Sequence, residues 1–62
     1  MNVFIVIGSD GYLGDDIEGV FLTLEEAVNK ANKAHRIEEH STTTSEWVAI
    51  YSTDGELINE NG

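Results

Sequence analysis

The segment NVFIVI at residues 2–7 constrains this chain more than any other. It is β-branched and aromatic and too short for a helix, so it reads as a strand. Val3, Ile5 and Ile7 occupy one face of that strand, Phe4 and Val6 the other. A strand apolar on both faces belongs in the middle of a sheet, with both sides at least partly covered. The chain has 62 residues with which to supply that cover, enough for one small domain over residues 1–62. A domain of this size buries only about 60% of its unfolded surface, so a thin, marginally stable core is expected.

Downstream, GSDGYLGDD at residues 8–16 combines three glycines with three aspartates and reads as a loop or hairpin tip. Residues 17–22, IEGVFL, read as a second strand pairing back on the first, with a bulge or close backbone approach at Gly19. Thr23-Leu24-Glu25-Glu26 predicts a capping box, with Thr23 accepting from the Glu26 amide and Glu26 reaching back to the Thr23 amide. Leu24, Ala27, Val28, Ala31 and Ala34 follow at helical spacing. Glu25 and Glu26 stand early in this segment and Lys30, Lys33 and Arg36 late, an order that complements the helix dipole. The pattern predicts a helix from 24 to 36 or 37, then a polar surface loop over 38–45. Residues 46–51, EWVAIY, predict a third strand. Asp54-Gly55 suits a type I′ turn, and residues 56–59 a short fourth strand. The expected fold is α+β in the order ββαββ: a four-stranded, mainly antiparallel sheet with one helix packed on one face.

Twelve carboxylates against three basic side chains give a net charge of −9. At 40% apolar residues this is not the composition of a disordered acidic tail. Direct nucleic-acid binding is not expected, because it rests on Lys and Arg contacts to phosphates. No cysteine is present, which removes a disulfide framework and thiolate chemistry. The longest apolar run, Val3 to Ile7, is far short of the ~20 residues of a membrane span, and no basic segment precedes it. A cytoplasmic protein without membrane contact is the expectation.

The motifs that suggest chemistry have simpler readings. Gly8, Gly11 and Gly14 after a strand resemble the G-x-x-G-x-x-G fingerprint of extended short-chain dehydrogenases. The acidic, strand-like Asp15-Asp16-Ile17-Glu18 follows them in place of a helix, so no cofactor is expected. Asp10, Asp15, Asp16 and Glu18 offer hard oxygen ligands. An EF-hand loop starting at Asp10 would need ligands at Tyr12 and Gly14 and a glutamate at Phe21, and has none. His35 and His40 lack the i,i+4 spacing of a helical zinc site. No nucleophile elbow is present, and adjacent carboxylate pairs point apart, so neither a metal site nor an enzyme is predicted.

Two features point to a binding role. The first is the acidic surface, with Asp10, Asp15, Asp16 and Glu18 on the first hairpin; such a surface attracts basic grooves. The second is the sheet face away from the helix. If Val48 and Ile50 pack under the helix, Trp47 and Tyr51 look outward together, with Phe4 as a further candidate, as the centre of a partner interface or a homodimer.

The opening strand and Gly/Asp hairpin, followed by Gly19-Val20-Phe21 and Thr23 to Ala27, resemble small bacteriophage and bacterial proteins of unassigned activity. The likeness covers roughly residues 3–32. Its implication is context: small acidic phage proteins of the early or host-takeover kind commonly bind and disable a host protein. A target that handles nucleic acid fits the charge, since carboxylates can occupy a groove built for phosphates. The alternative is a non-catalytic structural or regulatory module that homodimerises through its open sheet face.

Overall fold

The computed structural model describes residues 1–9 and 15–61. Among them are five strands and one helix, in the order β1 (Asn2–Ser9), β2 (Asp15–Phe21), α1 (Leu24–Lys30), β3 (His35–Ser41), β4 (Trp47–Tyr51) and β5 (Leu57–Glu60). The strands form one sheet in the order β2-β1-β3-β4-β5. Every adjacent pair is antiparallel. The α+β class holds, and β1 lies in the sheet interior as its two-sided apolar pattern requires. The expected four-stranded ββαββ order does not hold: a fifth strand, β3, is inserted beside β1.

That strand replaces the second half of the expected helix. α1 stops at Lys30 because Ala31 turns extended, with φ −73° and ψ 151°. The Asn32 side chain then accepts from the Ala34 amide at 2.9 Å. The Asn32 amide donates to His35 Nδ1 at 3.1 Å, and the His35 amide to the Asn32 carbonyl at 3.0 Å. This turn reverses the chain into β3, which pairs with β1 over seven residues. Helical spacing at Ala31 and Ala34 was real but weak; satisfying the second backbone edge of a buried central strand outweighs it. Ala34, expected on the helix stripe, is exposed in the turn.

Thr23 caps α1 as expected, accepting from the Glu26 amide at 3.2 Å. The reciprocal bond differs: the Thr23 hydroxyl donates to the Glu26 carboxylate at 3.0 Å, instead of Glu26 reaching the Thr23 amide. A single cap on a seven-residue helix matters more than on a long one, because few internal bonds back it up. Thr23→Ala is therefore expected to cost about 1 kcal/mol, read as a drop of about 4–8 °C in a thermal melt.

Two further turns depart from the simple pattern. The β1–β2 register slips between Val6 and Ile7, because Glu18 is an extra residue between Ile17 and Gly19. Gly19 borders this bulge, and the Phe21 ring lies over it, 2.7 Å from where a Cβ would stand. In the β4–β5 hairpin Gly55 has φ +90° while Asp54 does not take positive φ. The loop is thus not the expected type I′ turn. The Gly55 amide bonds the Ser52 carbonyl at 3.0 Å and the Ser52 amide the Glu56 carbonyl at 2.8 Å, a three-residue loop with glycine in the left-handed position.

Val6, Ala27 and Ile37 form the buried centre, with Phe4, Phe21, Leu24, Val28, Ala31 and Tyr51 packed around it. α1 lies mainly over β1 and β2; its Ala27 also joins Ile37 of β3 in the core.

Candidate functional site

Alternation along the strands assigns each side chain to the helix side or to the opposite, open face. Phe4, Val6, Ile37 and Tyr51 belong to the helix side. Val3, Ile5 and Ile7 therefore belong to the open face, and the register sets Val20 beside Ile5 and Ile17 beside Ile7. On the other flank of β1, His40, Glu38 and Arg36 stand opposite Val3, Ile5 and Ile7. Beyond them Ile50 lies opposite Glu38 and Trp47 opposite His40. The open face thus has an aliphatic half over β1 and β2, a charged row along β3, and Trp47 and Ile50 on β4.

The aliphatic half is substantially bare. Ile17 is 67% exposed and Val20 56%, while Val3, Ile5 and Ile7 are half-buried. The fully buried apolar side chains among the described residues are Val6, Ala27, Ile37 and Ala49. Five aliphatic side chains grouped on one strand pair are more than the scattered apolar exposure normal for a soluble surface.

The charged row is bonded internally. The Arg36 guanidinium donates from Nη2 to Asp15 and from Nε to Glu38, each at 2.7 Å. Glu38 also meets His40 Nε2 at 2.9 Å. The Arg36 hydrogen bond and charge hold the Asp15 carboxyl below the usual carboxylate range. Partial burial alone would raise Glu38, but its bonds from His40 and Arg36 prevail and lower it. The same two carboxylates push the Arg36 guanidinium up. At the β4–β5 turn, the Ser52 hydroxyl lowers Asp54.

These directions fix an acid response. A carboxyl whose folded pKa is lowered contributes stability above its unfolded value, near pH 4, and loses it as the pH falls through the lower folded value. Asp15, Glu38 and Asp54 act in this sense. Partial neutralisation of the net −9 surface acts oppositely, by relieving self-repulsion. Thermal melts are expected to show a shallow rise in the midpoint from pH 7 to about pH 5 and a fall below about pH 4. Glu38→Gln should flatten that fall; an unchanged acid limb would show that the row does not contribute.

Three expected site residues are relocated or separated by the structure. Tyr51 is on the helix side, not the open face. Its ring lies 6.1 Å from that of Phe4 at 51°, and its hydroxyl donates to Glu39 at 2.8 Å, which with burial raises the phenol's pKa. Phe4 is likewise part of the helix-side packing. Trp47 does not share a face with Tyr51 as i,i+4 alternation predicts, because Val48 is an extra residue in β4 opposite the Glu39–His40 step. Ile50, expected under the helix, lies on the open face opposite Glu38, because Ala49 and Tyr51 on either side of it pair with the helix-side residues Glu39 and Ile37. Asp15 is in the Arg36 row. Asp16 pairs with Gly8 on the helix side, and Glu18 is exposed at the bulge. Asp10, Gly11 and Gly14 lie outside the described residues.

Sequence reasoning missed the Arg36–Glu38–His40 row by assigning those residues to a helix end and loop. Opposite charges two residues apart were the available signal, since that spacing shares a strand face. Among the described residues there is no pocket and no group of three metal-ligating side chains. Among the described residues no helix is long and apolar enough to cross a membrane. No protein-family model matches the chain, and neither a curated protein nor a solved structure does.

Proposed function

We propose that this protein is a non-catalytic binder that docks on another protein through its open sheet face and alters that protein's activity. The aliphatic strip of Val3, Ile5, Ile7, Ile17 and Val20 carries the reading. It lies on the strand pair whose other side is already covered by α1, so β1 and β2 carry the composition of a layer buried on both sides with one side left open. The net charge of −9 favours a basic partner and speeds its approach. The phage-type resemblance makes that partner a host protein in the cytoplasm, and carboxylates standing in for phosphates make a nucleic-acid-handling target the favoured kind. Homodimerisation through the same strip is the second reading; the strip supports it and the charge of each copy opposes it.

Capture from a bacterial lysate with tagged protein tests this, comparing wild type with Ile17→Thr/Val20→Thr. Threonine keeps the β-branched strand preference while replacing the apolar tip by a hydroxyl. A partner held by the wild type and lost from the variant is expected, with retention falling steeply as salt rises. Equal retention by the variant would remove the sheet face from the account. Salt-independent retention would remove phosphate mimicry. A dimer in sedimentation analysis that the variant dissociates would select the second reading.

A further inference from the structure

We infer that the open side of the β1–β2 pair seats a cationic amphipathic helix of the partner protein. The inference rests on the binding face proposed above and names what fills it.

Three observations select a helix. The first is width: two strands at ~4.8 Å spacing present a strip of about 10 Å, the diameter of one α-helix. The second is internal precedent. On the other side of the same two strands the chain lays its own helix, which contacts β1 and β2 and no other strand to a comparable extent. Phe4, Val6 and Phe21 form the floor there; Val3, Ile5, Ile7, Ile17 and Val20 form the equivalent floor on the open side. The third is the boundary. The bonded Arg36–Glu38–His40 row closes the strip along β3, and Arg36 reaches across β1 to Asp15 on β2 at the Ile7 end. Apolar floor therefore gives way to charge after two strands, whereas a docked sheet would need apolar floor across more of the face.

Charge and area then decide against a second copy. Two chains of net −9 each would meet with like charges around the contact. A strip about 10 Å wide and, from Val3 to Ile7, five residues long, on the order of 170 Å², falls well short of the ~800 Å² per partner of a stable dimer. A helix of about three turns matches that length. Leucine-type residues at i, i+3, i+4 and i+7 would meet the strip, and lysines or arginines on its flanks would meet the open-face carboxylates Asp15 and Glu38 in the field of the net −9 chain.

The test uses two synthetic peptides of about 16 residues and identical Leu/Lys composition. One has its leucines on a single helical face; the other has them scattered. Neither contains Trp, so Trp47 fluorescence reports on the protein alone, and methyl NMR maps the contact on the unmodified chain. The facial peptide is expected to bind at least tenfold tighter than the scattered one. Its methyl shifts should cluster on Val3, Ile5, Ile7, Ile17 and Val20, and Ile17→Thr/Val20→Thr should weaken it at least tenfold without lowering the melting temperature by more than a few degrees. Equal binding of the two peptides would mean that charge alone acts and would overturn the inference. So would shifts on the helix side, or a homodimer that already occupies the strip. If the peptides fail while the lysate partner is still lost from the variant, the helical occupant is refuted and the binding face stands.

Discussion

Ile37→Ala is expected to lower the melting temperature by on the order of 10–30 °C and to leave much of the protein unfolded at 37 °C. Ile37 is 0% exposed and joins Val6 and Ala27 at the centre of the core. Deleting its outer carbons removes the transfer free energy of those groups and leaves a cavity, together about 2–4 kcal/mol. A 62-residue domain has a total stability of only about 3–9 kcal/mol, and each kcal/mol shifts the midpoint by about 4–8 °C. The result also tests β3 itself. If residues 35–41 were a solvated helix end and loop, the same substitution would be nearly silent in a circular-dichroism melt.

Tyr51→Ala is the second large effect, with an expected loss of about 2–3 kcal/mol. The ring packs against the core cluster and against Phe4, and its hydroxyl serves Glu39. Removing it strips apolar contact from the core margin and the ring pair that adds to it, while Glu39 retains its bond from the Asn2 amide at 2.7 Å. Tyr51→Phe isolates the hydroxyl and should cost about 1 kcal/mol. Trp47→Ala provides the contrast. Trp47 is half-buried and outside the core cluster, so its loss should cost less than that of Tyr51 despite the larger ring. The reverse order in parallel urea titrations would put Trp47 in the core and Tyr51 on the open face.

The elements legible in the sequence were those decided by local chemistry. NVFIVI announced a strand with two apolar faces, and Thr23 with Glu26 marked the helix start to the residue. The elements that escaped depend on distant partners. HRIEEHS contains one large apolar side chain, Ile37, and becomes a strand because β1 offers it seven partners; no local periodicity carries that information. Alanines at 31 and 34 fit a helix face as well as a turn, and three basic residues spaced along 30–36 made the helix continuation look favourable. The open face was expected and Trp47 lies on it, but Tyr51 and Phe4 do not. Strict alternation through EWVAIY sends Trp47 and Tyr51 the same way, and the extra residue Val48 breaks the parity between them. A bulge of one residue exchanges the two sides of a strand. Trp47 keeps the open face while Tyr51 joins the helix side, and the bare apolar strip on that face is built from aliphatic side chains of β1 and β2.

Site-specific photo-crosslinking tests the binding face most directly, because it needs neither a destabilising substitution nor a known partner. A benzophenone-bearing residue is placed at Ile17, on the aliphatic strip, and in a second protein at Glu25, which is exposed on α1 across the sheet. After irradiation in bacterial cells, the account predicts a discrete adduct to another protein from position 17 and none from position 25. An adduct from position 25 without one from position 17 would contradict it.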